Sequence, residues 1–397
     1  MKKSIANYVF IAGIMIIFVL NLFTFDMYHE LYAYNYRLTA VVVSVVFLCV
    51  YFEKYMSSVA SGKGEIASLK VFIEDKKLFL LILINAISTS VVLSSGTYLR
   101  IILVTYTFTM VLFLADKIRF TTKQMYVLMA FVSMFFFVWS VGKKRGYTIN
   151  FAGQVVVGSF VMLITLIELY KSEHLEMAKI EMYASILEVV LYVWAILAIA
   201  KYRCRTSFAS MLIFGIFFFG TRFYKLGLKL KMGILICSFI LIILFPHIYV
   251  TLKLNGVMED VTIFSKQVIS GRGNVYAYYL DMIKAVPMTG VGTIYVPNDT
   301  PFRAGLLDAS NAFLQITVPH GIIIGVLTFT LLGMVLWRIV SKTSECKINS
   351  VFFAGIMTFG IVSTSESFMV AFPFVMIYAA YLYIMNSFIP DNEKEKE

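Results

Sequence analysis

Long runs of apolar residues recur along the whole sequence and limit the folds open to it more than any other feature. A helix needs about 20 apolar residues to cross the hydrocarbon core of a bilayer. The chain is 60% hydrophobic and 14% charged, whereas about a quarter of the residues in soluble domains are charged. The sequence therefore predicts an all-α polytopic membrane protein.

About twelve transmembrane helices are predicted, with one long, partly helical external loop between spans 9 and 10. The approximate spans are 7–25, 37–52, 78–94, 97–115, 124–141, 151–170, 182–200, 206–221, 232–251, 318–340, 349–364 and 367–388. Spans 1–9 fall in residues 1–251, the loop in 252–317, spans 10–12 in 318–388 and a cytoplasmic tail in 389–397. The first run is interpreted as an uncleaved span, because no small-residue cleavage site follows it.

The positions of lysine and arginine predict the orientation, because short loops rich in these residues stay in the cytoplasm. With the N-terminus inside, most of the 34 lysines and arginines fall in inner segments, and the C-terminus is inside too. The net charge of +11 therefore follows from topology and does not indicate nucleic-acid binding.

Two basic segments on the predicted outer side break this rule, GKKRGY at 142–147 and KYRCR at 201–205. Such cations either have a task at the outer face or contact lipid headgroups. Headgroup contact is favoured for Lys143, Lys144 and Arg145.

The sequence has no disulfide framework, zinc spacing, P-loop, Rossmann or kinase motif, so no cofactor or nucleotide is predicted. A rival metal site is the first outer loop, FDMYHE, where Asp26, His29 and Glu30 would share a helical face. No second acidic cluster completes that ligand set, so the preferred prediction has no metal.

The long external loop is predicted to be folded, because it carries apolar residues at helical spacing. Val275, Tyr278, Tyr279 and Met282 would share one face of a helix that ends before Pro287. The loop is interpreted as a lid that lies on the membrane.

An arginine precedes this helix in the sequence SGRGN, and its surroundings suit an anion. Gly271 and Gly273 free the backbone around Arg272, and Asn274 is expected to cap the helix. A guanidinium beside a helix N-terminus favours phosphate. The alternative is an exposed loop arginine without a ligand.

Three motifs follow one another in this region, namely GR before the aromatic helix, PMTGVG at 287–292, and DASNAFLQITVPHGIIIG at 308–325 with a G-x-x-x-G entering the next span. Their order resembles that of the O-antigen polymerase and O-antigen ligase superfamily. The resemblance covers about residues 200–330.

The resemblance implies a C-type membrane glycosyltransferase that acts on an undecaprenyl diphosphate-linked oligosaccharide at the outer face of the bacterial cytoplasmic membrane. It needs no metal and no nucleotide. Arg272 matches the family's loop arginine, and Arg205 in CRTSFAS matches a second outer arginine. Both would hold the diphosphate. Other implied partners are membrane lipids, with a chain-length regulator protein as a further candidate.

The chain departs from the family at Ser310-Asn311, where ligases and many polymerases have His-Asn. The base that acts on the acceptor hydroxyl is then Asp308, which is favoured, or His320. The structural alternatives are a helix N-cap for Asp308 and an interfacial polar residue for His320. The remaining candidate substrate-binding residues are Ser310, Asn311, Gly271, Gly273, Arg100 and Arg37.

Arg37 and Arg100 lie near the outer ends of their spans, where an arginine either lines a site or snorkels to the interface. Glu188 lies deeper, in the seventh span, and is expected to pair with an arginine inside the bundle.

Three functional classes remain open. Within the family, the missing histidine favours a polymerase of O-antigen or capsular polysaccharide over a ligase. A flippase or other transporter of the same lipid-linked glycan is the alternative from another class, although its usual two similar halves with short loops are not apparent. A receptor or scaffold is disfavoured, because the tail DNEKEKE is too short for a signalling part.

Overall fold

The structure is a computed structural model that describes most of the chain. The described residues are 4–23, 28–61, 76–94, 99–141, 149–174, 178–223, 226–257, 261–264, 266–267, 272–293, 309–344, 346 and 348–389.

Thirteen helices and one short hairpin make up the regular structure of the described residues. The helices are α1 (Ile5–Phe23), α2 (Tyr28–Ala60), α3 (Lys76–Ser94), α4 (Leu99–Leu114), α5 (Thr122–Val141), α6 (Ile149–Glu173), α7 (Ala178–Tyr202), α8 (Arg205–Phe223), α9 (Leu228–Leu254), α10 (Arg272–Ala285), α11 (Ala312–Lys342), α12 (Asn349–Ser365) and α13 (Phe374–Ser387). The hairpin pairs β1 (Thr262–Ile263) with β2 (Lys266–Gln267) in antiparallel fashion.

All of the helices except α10 are apolar and overlap the predicted spans. Among the described residues, six of them are long and apolar enough to cross a membrane, namely α2, α5, α6, α7, α9 and α11. The others, α1, α3, α4, α8, α12 and α13, are shorter apolar helices. The predicted all-α membrane class is confirmed at this level, and the number of twelve spans stays a prediction.

Helix α13 lies in the core of the bundle, because each of its residues from 374 to 386 is buried. The Tyr381 hydroxyl donates a hydrogen bond to the Val351 carbonyl of α12 at 2.8 Å. Helix α9 differs, since only 22% of its most apolar window is buried. Its exposed apolar side chains, such as Ile240, suit contact with lipid.

Three helices begin far from their predicted positions, and for two of them the structure shows a local reason. Helix α2 already starts at Tyr28, so it includes part of the predicted first outer loop. Helix α11 starts at Ala312 because the Asn311 side chain caps it. Helix α13 starts at Phe374 because turns occupy residues 367–373, where the Ser367 carbonyl accepts two backbone hydrogen bonds.

Polar contacts between helix ends form two groups. In one group, the Glu53 carboxylate of α2 accepts from the Ile5 amide at 2.6 Å, and Arg119 donates to the Ile389 carbonyl at 2.9 Å. In the other group, the Thr206 and Ser365 hydroxyls lie 2.9 Å apart. Each contact joins helix ends that the predicted alternation puts on the same side.

The buried Glu188 carboxylate of α7 pairs with a lysine rather than with the expected arginine. The Lys171 ammonium of α6 lies 3.3 Å from Glu188 and 2.7 Å from Glu168. Burial of Glu188 therefore comes with a nearby cation, as a buried carboxylate requires.

Three cations surround one carboxylate, Asp116, in the connection after α4. Arg338 at the end of α11 lies 3.0 Å from it, Lys117 lies 3.7 Å away, and Lys77 of α3 forms a close ion pair. Burial alone would raise the pKa of Asp116, but Lys117, Lys77 and Arg338 outweigh burial and lower it. Asp116 thus connects α3, α4 and α11 electrostatically.

We expect Asp116→Asn to destabilise the protein, because three cations lose their shared carboxylate. The loss should be about 2 kcal/mol, since Lys77 and Arg338 stay partly exposed and a fully buried pair would cost more. Thermal unfolding of the detergent-solubilised chain measures it. Asp281→Asn, which removes an exposed carboxylate paired with Lys284, is the control and should leave the melting temperature unchanged.

The stabilising effect of Asp116 should also depend on pH. The pKa of Asp116 is lower in the folded protein than in the unfolded chain. Its contribution to the free energy of unfolding is therefore fully present above the unfolded pKa and is lost as the pH falls through the folded pKa. The difference in melting temperature between the wild type and the Asn variant should therefore shrink on acidification. An equal difference at all acidic pH values would contradict the ion-pair interpretation.

Candidate functional site

The starts of α8 and α10, which carry the two predicted diphosphate arginines, meet at the C-terminal end of α12. Arg272 Nη1 donates to the Ser365 carbonyl at 2.6 Å, and Arg272 Nη2 forms a close ion pair with Glu366 Oε1. The Thr206 hydroxyl, next to Arg205, lies 2.9 Å from the Ser365 hydroxyl. The structure thus brings the Arg205 and Arg272 segments to one place, although 67 positions separate them in the sequence.

Cys204, the residue before Arg205, also lies within electrostatic reach of the ion pair. Burial is the largest cause that raises the pKa of its thiol, Glu366 raises it further, and Arg272 acts in the opposite direction. The segment that contains Arg205 therefore borders both members of the pair.

The ion pair is unequally exposed to solvent. The Arg272 side chain is 23% exposed, whereas that of Glu366 is 6% exposed. Desolvation alone would lower the pKa of Arg272, but the Glu366 carboxylate outweighs it and, with Tyr276 and Tyr249, raises that pKa. Arg272 is therefore a permanent cation with one edge open to solvent.

Glu366 was not among the residues predicted for the site. It is the only charged residue between Asn349 and Phe388, and it follows the last helical residue of α12. An isolated charge in an apolar stretch is a signal for function or for a buried partner. That signal was present in the sequence, but the partner, Arg272, is 94 residues away.

The start of α10 differs from the predicted capped helix. The helix already begins at Arg272, and the Asn274 side chain accepts a hydrogen bond from Lys253 of α9 instead of acting as the cap. A Cβ on Gly273 would lie 2.4 Å from the Lys253 side chain. Gly273 therefore lets α9 pack closely beside Arg272, and Gly271 lies outside the described residues.

The predicted helix after Arg272 is confirmed, and its fully buried residues include one of the four that were predicted to share a face. Helix α10 ends at Ala285, before Pro287, and buries Gly273, Tyr276, Tyr279 and Leu280. Of the four residues predicted to share one face, Tyr279 is buried, and Val275, Tyr278 and Met282 are partly buried and pack against the same cluster. The Tyr276 hydroxyl donates to the Ser310 carbonyl at 2.8 Å, so α10 is fixed to the start of α11.

Asn311 makes three hydrogen bonds that join three helices. Its Oδ1 accepts from the Leu314 amide at 2.9 Å and caps α11. Its Nδ2 donates to the Ile242 carbonyl of α9 at 2.9 Å and to the Thr364 carbonyl of α12 at 2.8 Å. Residue 246 is proline, which has no N–H for the Ile242 carbonyl. The asparagine amide satisfies that carbonyl, so the N-cap considered for Asp308 is made by Asn311.

Helix α11 is broken at Gly321, which has φ 85° and ψ 167°. His320, immediately before the break, is fully buried. Its Nδ1 lies 3.0 Å from the Ser88 hydroxyl of α3, and its Nε2 lies 2.8 Å from the Thr105 hydroxyl of α4. Both ring nitrogens are thus hydrogen-bonded within the bundle, away from Arg272 and its partners.

The turn PMTGVG docks onto this break through its backbone. Amides of the turn at Val291 and Gly292 donate to the Val318 and Pro319 carbonyls at 3.0 and 2.9 Å, and the Ile322 amide returns a bond to Pro287 at 2.8 Å.

Two glycines make this approach possible. A Cβ on Gly290 would lie 2.4 Å from the Gly321 amide nitrogen, and one on Gly321 would lie 2.1 Å from the Met288 carbonyl oxygen. Both glycines also have positive φ, which disfavours side chains. The glycines of the sequence motif therefore serve backbone-to-backbone packing.

The remaining predicted residues are not joined to this cluster by the described contacts. Arg37 on α2 is exposed, as expected for a side chain at the interface. Arg100 lies in the first turn of α4, and its side chain is outside the described part of the structure. Asp308, Asp26 and the basic segment at 142–147 also lie outside it.

No group of three or more histidine, cysteine or acidic residues in the described part of the chain is arranged to hold a metal ion. His29 and Glu30 belong to α2, but their side chains lie outside that part. The alternative metal site at Asp26, His29 and Glu30 therefore remains a prediction.

A scan against protein-family models, a search of curated proteins and a search of solved structures found no match to the chain. The candidate site therefore rests on the sequence and the geometry of this protein.

We expect Gly321→Ala to separate the turn at 287–292 from α11. A Cβ at this position meets the backbone of the turn and requires an unfavourable positive φ. Limited proteolysis of the loop should become faster, and the melting temperature should fall. Gly333→Ala in the same helix is the matched control, because nothing lies within 4 Å of its Cβ. Equal behaviour of the two variants would contradict the proposed packing role.

Proposed function

We propose that this protein is a membrane glycosyltransferase that polymerises bacterial O-antigen or capsular polysaccharide. It would transfer a growing glycan from undecaprenyl diphosphate to the next lipid-linked repeat unit, with no metal or nucleotide. The observation that carries the proposal is the meeting of the Arg205 and Arg272 segments around Ser365. The family resemblance implies that both arginines hold one diphosphate, so the meeting of their two segments supports a common ligand.

The chemistry requires cations at the departing diphosphate. As the bond between the sugar and the phosphate lengthens, negative charge builds on the leaving group, and a fixed cation stabilises that charge most in the transition state. The Ser365 carbonyl holds Nη1 of the Arg272 guanidinium. A cation held in this way loses little orientational freedom when the reaction begins.

The proposed topology has twelve spans, cytoplasmic termini in the bacterial inner membrane and the loop at 252–317 outside. The grouping of helix-end contacts supports this topology, since Arg119 and Ile389 would meet inside and Arg272 and Glu366 outside. Membrane lipids would surround α7 and α9. A chain-length regulator remains a candidate partner, and nucleic acid is not one.

Asp308 remains the proposed base for the acceptor hydroxyl. His320 is the weaker candidate, because its two ring nitrogens already bond to hydroxyls of α3 and α4. Asn311 is similarly occupied by its cap and by two carbonyls. For both residues, the contacts favour a structural role over direct contact with substrate.

The break in α11 favours a second candidate function, transport of the same lipid-linked glycan. Discontinuous helices are common at the binding sites of transporters. In this chain, however, the backbone groups at the break are bonded to the turn at 287–292. This occupation of the break makes glycosyl transfer the preferred proposal.

The test is incubation of the purified protein with an undecaprenyl diphosphate-linked repeat unit. Polymerisation gives a ladder of longer glycans on gels, whereas a transporter gives none and moves a fluorescent lipid-linked glycan across proteoliposomes instead. No ladder with authentic substrate, together with transport in proteoliposomes, would overturn the proposal.

We expect Arg272→Lys to reduce the rate of ladder formation by about tenfold to a hundredfold, because a lysine ammonium cannot replace a planar guanidinium that bonds to the Ser365 carbonyl and to the diphosphate at once. The effect should appear mainly in kcat if the contact strengthens in the transition state. Lys284→Gln is the control, since it removes an exposed cation from the same helix. Full activity of the Arg272→Lys variant would contradict the assigned role.

A further inference from the structure

The proposed ligand and the observed partner of Arg272 compete for the same cation. The Glu366 carboxylate already occupies Nη2 of the guanidinium. A diphosphate at this position would lie beside the carboxylate, and like charges at such a distance repel each other strongly in a partly buried site. One of the two anions must therefore leave for the other to bind closely.

We propose that Glu366 is an internal counter-ion that closes an anion site at Arg272 in the unliganded protein and gives way to a phosphate or diphosphate group. The site is thus blocked by the protein's own carboxylate until a ligand displaces it. The identification of the natural ligand as a lipid-linked diphosphate rests on the proposed function, whereas the exchange of anions does not.

The burial of the pair explains why a counter-ion is needed. The Arg272 side chain is largely removed from solvent, and an uncompensated charge in such a place is costly. Glu366 supplies the compensating charge while the site is empty. A diphosphate has more charge and more acceptor oxygens, so it replaces the carboxylate without leaving the guanidinium unpaired.

The local backbone permits the side chain to leave while the arginine stays in place. Glu366 is the C-cap of α12, with extended φ −143° and ψ 160°, and its amide is bonded to the Val362 carbonyl. The Ser365 carbonyl binds the other terminal nitrogen of Arg272 at 2.6 Å. Rotation of the Glu366 side chain therefore frees Nη2 without moving the contact that holds Nη1.

The open edge of the arginine indicates where the ligand enters. Arg272 is more exposed than Glu366, and Arg205 and the exposed Arg203 lie at the neighbouring start of α8. The ligand would arrive at the exposed side of the guanidinium. The displaced carboxylate is the only acidic group among the described contacts of Arg272.

The test measures binding of inorganic pyrophosphate to the detergent-solubilised full-length chain by calorimetry at low ionic strength. Glu366→Gln keeps the size of the side chain and removes its charge. We expect it to bind pyrophosphate about fivefold more tightly than the wild type, the size of effect expected for a partly exposed ion pair. Arg272→Gln should abolish this binding in both the wild-type and the Glu366→Gln backgrounds.

The matched control is Asp281→Asn, which changes the net charge of the protein by the same amount. Asp281 lies on α10 and pairs with the exposed Lys284, away from Arg272. Its pyrophosphate affinity should equal that of the wild type. An equal gain in pyrophosphate affinity in the Asp281→Asn variant would show a general charge effect and overturn the proposal. Unchanged or weaker pyrophosphate binding by Glu366→Gln would also overturn it.

If Glu366→Gln does not yield folded protein, Glu366→Asp provides the second test, because it withdraws the carboxylate by one methylene. Tighter binding of pyrophosphate is again expected, and weaker or unchanged binding overturns the proposal. Undecaprenyl diphosphate in micelles then replaces inorganic pyrophosphate, to distinguish a lipid-linked ligand from a free one.

The outcomes separate this inference from the proposed function. Tighter pyrophosphate binding by Glu366→Gln without any glycan ladder from the wild type supports the anion exchange and rejects the polymerase. A glycan ladder from the wild type without tighter binding by Glu366→Gln supports the polymerase and rejects the exchange.

Discussion

Backbone groups that lose their helical partner inside an apolar bundle must find another partner within the protein, because the surrounding lipid offers none. This constraint organises the region around α11. Pro246 deprives the Ile242 carbonyl of its helical donor, and the Asn311 amide satisfies it. The break at Gly321 likewise exchanges backbone bonds with the turn at 287–292. The loop and the apolar helices are therefore one hydrogen-bonded structure, and the position of α10 with Arg272 follows from it.

The cost of removing charged groups from water likewise determines which side chains pair. Buried or partly buried carboxylates have cations beside them, as for Asp116 with Arg338, Glu188 with Lys171 and Glu366 with Arg272. At Asp116 the cations outnumber the carboxylate, which suits a permanent connection between helices. At Arg272 the guanidinium pairs with the Glu366 carboxylate, and the cation is the more exposed partner. Because one edge of the Arg272 guanidinium stays exposed to solvent, another anion can reach it and replace Glu366.

Much of the helical arrangement was predictable from the sequence, because a helix that crosses a bilayer requires a long apolar run. The helix after Arg272 was predictable for a similar reason, from its spacing of aromatic residues and the proline that follows it. The start of α11 was not, because the cap is made by Asn311 and its two further bonds go to helices distant in the sequence. Hydropathy contains no information about such partners.

The candidate site was also only partly predictable from the sequence. The two arginine segments were identified from local sequence and motif order, and their proximity required the fold. Glu366 carried a visible signal as a lone charge in an apolar stretch, but its pairing with Arg272 depends on the packing of α10 against the end of α12. The burial of His320 between Ser88 and Thr105 was also invisible, because each hydroxyl lies on a different helix. Long-range pairing, rather than local propensity, decides which polar residues are structural.

The burial of α13 on all sides has a consequence for biogenesis. This helix is the last of the described helices to leave the ribosome, yet it fills the interior, where it packs against α6 and bonds to α12. Helices inserted earlier cannot complete their interior packing until α13 is present. The interior of the bundle therefore depends on an element that is synthesised late.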